Sequence, residues 1–279
     1  MAPSPYLSVT SNFTSEANVE TSLTLTYSPT PTQPTSLTIS TTLPEDQISP
    51  LFSGTAWAGT RLWFSAVDSL TYLHQSPLLT SLPASPSILE LGAGLGIPGM
   101  CLAKYLESIN SGGTVVITDM PSILDQLETN VSANFTSPAS TTCPSVVPAD
   151  LDWSIPGVNS LLEANSLPHF DLLLSTDCVY APLYGKSYEL LAECIIHLLT
   201  LNPAAVSVNV VERRNVDEVE IFEQLLKDGG MTVEVVDRGG GYEENDIDAL
   251  EGKGSSKGDD EEARGKVEAY VVRNPSNTK

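Results

Sequence analysis

The sequence predicts an α/β fold: a mostly parallel sheet, covered on both faces, that closes with an antiparallel hairpin. Three observations carry that prediction. Between residues 86 and 238, short apolar runs alternate with segments of helical pitch, as in a parallel sheet built from crossover helices. The last two apolar runs, 231–238 and 267–274, are separated by a stretch with no helical period, so without a crossover helix they must be antiparallel neighbours. The chain has 279 residues, enough for one large domain with a real core or for two small ones.

The elements follow in order. VETSLTLTYS (19–28) and TSLTISTT (35–42) alternate apolar with hydroxyl side chains around a Pro-rich turn, which predicts a β-hairpin. Residues 1–54 are therefore read as a β-rich N-terminal extension and 55–279 as the main domain. GTRLWFSAVDSLTYLHQ (59–75) takes helical spacing, with Leu62, Ala66, Leu70 and Leu73 on one face. SILEL (87–91) is a strand and IPGMCLAKYLESI (97–109) a helix. TVVIT (114–118) is a strand, and PSILDQLETNVSANF (121–135) a helix opened by Pro121. A short apolar piece at 145–147 precedes Pro148. FDLLLS (170–175) is a buried strand, 182–200 one long helix, and AAVSVNVV (204–211) a strand. A helix over 215–230 stops at Gly229-Gly230 and leads to the strand at 231–238. The stretch 239–266, glycine-rich and acidic, reads as a mobile insertion before the returning strand at 267–274.

Composition excludes some partners. The chain carries 35 acidic against 13 basic side chains, a formal charge of −22. That surface repels phosphate backbones and anionic lipid, so neither nucleic acid nor membrane is expected as a partner; it would attract basic proteins, and plain solubility explains it equally well. MAPSPYLSVTSNF has no basic-then-apolar leader pattern. The richest apolar run, LLAECIIHLL (190–199), is broken by Glu193 and His197. Cys101, Cys143, Cys178 and Cys194 form no CxxC pair, which suits a reducing compartment; a cytoplasmic monomer is expected, with the sequons at Asn12, Asn130 and Asn134 incidental. His74, His169 and His197 form no metal-ligand pattern, so no metal is expected.

The chemistry concentrates in ILELGAGLGIPG (88–99). A glycine turn between strand and helix, Gly92-Ala93-Gly94-Leu95-Gly96, lets backbone N–H groups approach a ligand and leaves room that a side chain would fill. Asp119 ends the next strand, where a carboxylate can accept from both ribose hydroxyls. Those two features serve NAD and S-adenosyl-L-methionine almost equally, and a tight structural turn also explains the glycines. Three neighbours favour S-adenosyl-L-methionine. Glu90 offers a carboxylate suited to a ligand ammonium, the turn lacks the basic residues expected near a pyrophosphate, and the terminal hairpin is unlike the ordinary dinucleotide fold.

Five motifs in order then resemble the seven-β-strand protein methyltransferases of the family-16 type, mainly lysine methyltransferases, over roughly residues 55–237. They are GTRLWFSAVDSLTYL (59–73), ILELGAGLGIPG (88–99), VVITDMPSILDQLETNVSAN (115–134), ADLDW (149–153), and FDLLLSTDCVYAPLYGKSYELL (170–191) with its D-x-x-Y at Asp177–Tyr180. The resemblance implies a Rossmann-like sheet of seven strands and transfer of a methyl group to a lysine of a protein substrate. It also implies a cofactor shell of Trp63, Gly92, Ala93, Gly94, Asp119, Trp153 and Thr176. Trp153 would wall the adenine edge and Trp63 the methionine end; simple core burial is the competing reading of each tryptophan. Asp177 is expected to orient the amine and Tyr180 to line the channel, against a helix N-cap and a packing tyrosine. The flanks, 1–54 and 239–266, depart from the family, and members hold their partners with such flanks, so the target does not transfer. Methylation of a small molecule and a non-catalytic binding role stay open.

Overall fold

The computed structural model describes residues 6–13, 20–29, 34–41, 59–60, 62–135, 143–214, 216–237 and 266–277; of the expected insertion at 239–266, all but Lys266 lies outside them. The N-terminal region forms three antiparallel strands rather than two: β1 (Leu7–Phe13), β2 (Glu20–Tyr27) and β3 (Thr35–Ser40), in the order β1-β2-β3. The first was not legible because Leu7-Ser-Val-Thr-Ser-Asn-Phe offers only a brief alternation. Alternate side chains of the other two, Leu23, Leu25, Tyr27, Leu37 and Ile39, are buried.

The outer edge of β3 is closed by a helix instead of a fourth strand. On α4 (Pro121–Asn134; α1 to α3 are placed below) the amides Gln126, Asn130 and Asn134 lie four residues apart on one face. Asn134 accepts from the Thr38 N–H at 2.8 Å and donates to the Thr38 carbonyl at 2.7 Å. Asn130 accepts from the Ser40 N–H at 2.8 Å, and Gln126 donates to the Ser40 carbonyl at 2.6 Å. The match is metric: four helical residues rise about 6 Å, and two strand residues about 6.8 Å. Edge groups that invite pairing are thereby satisfied. Asn130 is fully buried and its side-chain amide also donates to the Leu95 carbonyl at 3.3 Å, so burial closes that sequon to a glycan.

The main sheet has seven strands in the order β6-β5-β4-β7-β8-β10-β9. They are β4 (Ser87–Leu91), β5 (Thr114–Asp119), β6 (Ser145–Asp150), β7 (Leu172–Thr176), β8 (Val206–Arg213), β9 (Thr232–Asp237) and β10 (Lys266–Arg273). β10 is antiparallel to both β8 and β9, and the other neighbours are parallel. Period-two alternation sorts the core. Ile88, Val115, Leu172 and Val208 face α1 (Phe64–Gln75), α3 (Ile97–Ser108), α4 and the N-terminal sheet. Leu89, Val116, Leu173 and Val211 face α5 (Ile155–Ala164), α7 (Ser187–Leu201) and α8 (Val216–Asp228). The short α2 (Leu78–Ser81) follows α1.

Several boundaries depart from the sequence reading. The first main helix begins at Phe64 rather than at Gly59, and Leu62 and Trp63 precede it. The long helix breaks at Gly185, whose φ of 57° lies in the left-handed region, into α6 (Ala181–Tyr184) and α7. β6 continues through Pro148, which an edge strand tolerates. α5 went unread because Pro156 and Gly157 resemble breakers; Ser154 caps it by accepting from the Gly157 N–H at 3.1 Å. No helix among the described residues is long and apolar enough to cross a membrane.

The amide ladder predicts an ordered pair of losses. Asn130→Ala strands the Ser40 N–H and should cost about 1–3 kcal/mol, read as a lower urea midpoint. Asn134→Ala, at a more exposed position, should cost less than about 1 kcal/mol in the same measurement.

Candidate active site

From β4 the chain moves outward through β5 to β6, then returns to β7 on the other side of β4. At this topological switch point, where α/β sheets bind ligands, a cavity of about 300 Å³ opens. Its walls come from the turn after β4, the ends of β5 and β7, the segment 151–153, the entry to α1, and the start of α7.

The turn is held by left-handed backbone and by one carboxylate. Gly92 and Gly94 have φ of 64° and 54°. Asp119 accepts from the Gly94 N–H through Oδ2 and from the Met120 N–H through Oδ1, each at 2.7 Å. Burial pushes its carboxyl up, against the pull of those two N–H groups. The glycines are needed for a second reason besides the expected one. A Cβ at Gly92 would sit 2.6 Å from Cys178 Sγ and 3.0 Å from the Trp153 ring, and one at Gly94 would sit 2.9 Å from the Gly59 carbonyl. Substitution would collide with the protein itself.

Eight of the expected residues line this cavity: Trp63, Gly92, Ala93, Gly94, Asp119, Trp153, Thr176 and Asp177. Trp153 takes a left-handed φ of 61°, costly for a tryptophan. Its buried indole Nε1 has no hydrogen-bond partner, and neither has Ser187 Oγ, from another lining residue. Asp177, also left-handed at 54°, is fastened to the end of β8. Its N–H donates to the Val210 carbonyl at 2.9 Å, and its Oδ1 accepts from the Glu212 N–H at 2.8 Å. Its Oδ2 accepts from Arg214 at 3.3 Å. It caps no helix: α6 begins after Tyr180 without a side-chain cap, and Glu218 takes the Ala181 N–H at 2.7 Å.

Two expected residues stand elsewhere. Glu90 does not meet the cavity; strand alternation turns it under α3, where its Oε2 accepts from the Gly99 N–H at 2.9 Å. Tyr180 does not line the cavity either, and its ring lies 5.4 Å from the Arg214 guanidinium carbon. The sequence reading missed Arg214 because Glu212-Arg213-Arg214 falls between a strand ending and a helix start. It also missed Cys178, Tyr184 and Ser187, of which burial pushes the thiol and the phenol up, so both stay neutral.

Residues 51–228 match the protein family described as lysine methyltransferase. Three curated relatives add to this. The "Secreted RxLR effector protein 48" of Plasmopara viticola is 32% identical over 136 residues, 48% of this chain and 66% of that one. The "Protein-lysine N-methyltransferase rrg1" of Schizosaccharomyces pombe is 27% identical over 154 residues, 55% of this chain and 48% of that one. The "Protein-lysine N-methyltransferase EFM2" of Saccharomyces cerevisiae is 28% identical over 211 residues, 70% of this chain and 46% of that one. The chain thus spans from about half to just under two thirds of the length of these relatives.

Glu90 has an energetic consequence. Fully buried, with Oε1 unpartnered, it is pushed up to about 8 by desolvation, opposed by the Gly99 N–H and reinforced by Asp119. The unfolded chain loses this proton near the ordinary value of 4.5 while the native state keeps it, so stability falls as pH rises between the two values and levels off above 8. Glu90→Gln removes the titration and keeps an acceptor for Gly99. Urea denaturation should find the variant close to wild type near pH 4.5 and more stable by roughly 4 kcal/mol at pH 8.

Proposed function

The chain belongs to the lysine methyltransferase family, and from that premise we propose that it transfers the methyl group of S-adenosyl-L-methionine to a lysine side chain of a protein. The observation that carries the reading is the cavity at the switch point, apolar in its walls and edged by Asp119 at the end of β5.

The residues fit the cofactor. The cavity falls within the range of about 300–1,000 Å³ common to ligand pockets. Two buried polar atoms of its lining residues, Trp153 Nε1 and Ser187 Oγ, lack partners, as in a site completed by a ligand. Asp119 spends one hydrogen bond per oxygen on backbone, and a carboxylate accepts about four, so lone pairs remain for ribose hydroxyls. Trp153, Leu151 and Ile123 give an apolar wall for the adenine, and Trp63 covers the methionine end. When bound, the cofactor supplies an electrophilic methyl carbon that takes an amine lone pair while the carbon–sulfur electrons stay on sulfur.

The chain's own task is to present that amine neutral and in line. A free lysine has a pKa of about 10.4, so desolvation among Trp63 and its apolar neighbours must favour the neutral form. Asp177, with both oxygens already engaged, orients the amine through its remaining lone pairs and is no strong base; the product ammonium sheds its proton to water. Holding the nitrogen roughly 3–3.5 Å from the methyl supplies most of the rate. Tyr180 acts from outside the cavity. The acidic surface draws a basic protein partner to a cytoplasmic, monomeric enzyme, with neither nucleic acid nor membrane as partner.

The test is incubation with methyl-labelled S-adenosyl-L-methionine and a dialysed extract of the protein's own cells. One or two discrete, base-stable protein bands are expected, and none with Asp119→Ala, whose affinity for S-adenosylhomocysteine should fall at least about 10-fold by calorimetry. Cofactor binding without any labelled band would sink the protein-substrate reading and point to a small-molecule acceptor or a non-catalytic role.

A further inference from the structure

Arg214 lies outside the cavity wall, yet it contacts the residues assigned to the acceptor. Its guanidinium donates to Asp177 Oδ2 at 3.3 Å and pairs with Glu212. Its central carbon lies 5.2 Å from the Trp63 ring and 5.4 Å from the Tyr180 ring, within cation–π range of both. Asp177 and Trp63 line the cavity, so Tyr180 is linked to them through this cation. The side chain is 25% exposed. Burial works against its charge, and Asp177 and Glu212 outweigh that and raise its pKa.

This arrangement bears on a difficulty in methylating an amine. A lone carboxylate beside the acceptor nitrogen favours the ammonium, which has no lone pair to give. Asp177 is not alone, because a permanently charged guanidinium shares it. Resting on the methyltransferase reading above, we propose that Arg214 is a positioning residue acting through Asp177: it offsets that carboxylate's charge, so that Asp177 orients a neutral acceptor amine instead of trapping the ammonium. Contact with Trp63 and Tyr180 fixes the guanidinium in the one place where it can do so. Among the described residues, the titratable groups that interact with this pair are Glu212, Tyr184 and Cys178. Burial raises the phenol and the thiol, so neither supplies a competing charge.

The probe is n-butylamine, a mimic of the lysine side chain, titrated calorimetrically at neutral pH with and without S-adenosylhomocysteine. The proteins are wild type, Arg214→Gln, Arg214→Lys and Glu212→Gln, each checked for folding by thermal unfolding. Arg214→Gln should bind the probe at least about 5-fold more tightly, because two carboxylates lose their counter-charge. Arg214→Lys should stay close to wild type. Glu212→Gln, which leaves Arg214 to Asp177 alone, should bind more weakly and serves if Arg214→Gln does not fold. On the target found by labelling, Arg214→Gln should keep or lower KM while kcat falls about 10-fold, with recovery as alkaline pH supplies neutral amine. Unchanged or weaker butylamine binding by Arg214→Gln, unchanged or tighter binding by Glu212→Gln, or a kcat loss that pH does not relieve, overturns the assignment. Absence of any labelled target in wild type strikes the protein-substrate reading instead, and the butylamine comparison still decides the role of Arg214.

Discussion

The site depends on one carboxylate placed between two strands. Asp119, at the end of β5, takes the N–H of Gly94 from the turn that ends β4. Without that acceptor, a half-buried N–H in a left-handed turn would lose its protein partner. With it, the turn is fixed against its neighbour, and its other contacts follow. Cys178 Sγ and the Trp153 ring close in where Gly92 has no side chain, and the Gly59 carbonyl approaches Gly94 in the same way. Four segments distant in sequence thus meet at two missing Cβ atoms. The cavity is the space left beside them.

The N-terminal sheet supports this arrangement from behind. Asn130 ties β3 to the glycine turn with one amide, accepting from Ser40 and donating to Leu95. At the opposite end the Tyr27 hydroxyl shares a 2.6 Å hydrogen bond with Nε2 of His74, whose pKa burial lowers to about 4, so the ring is neutral. Tyr6 stacks on the same ring with centroids 4.4 Å apart. A region that reads as a Ser/Thr-rich extension is held by polar contacts that position the turn, and its apolar face completes the core over α1, α3 and α4.

What the sequence made legible was whatever has a period or a motif. The parallel strands and the closing hairpin have the first, and the glycine turn, Asp119 and the D-x-x-Y segment have the second. Features set by tertiary contact were not legible. Glu90 sits in the expected motif, but which face of a five-residue buried strand it occupies depends on what packs there, and that proved to be α3. The strand and helix periods straddle Arg214 without including it, so nothing local marks its role. The amide ladder is spaced as any helix face would be; only β3, some 90 residues away in sequence, gives it meaning.

Two electrostatic scales therefore act at the proposed site in opposite senses. The formal charge of −22 makes a field that extends about a Debye length, near 8–10 Å in physiological salt, and concentrates cations at the surface. Attraction of that kind delivers a lysine but also favours its protonated, unreactive state. Within a few ångströms of the cavity the balance has to change, and a chain with only 13 basic residues places one of them there, between two carboxylates and two aromatic rings. Under the proposed function, an acidic exterior and a shared guanidinium at Asp177 are complementary parts of one device. The first gathers the charged side chain, and the second keeps the last carboxylate it meets from holding it in that form.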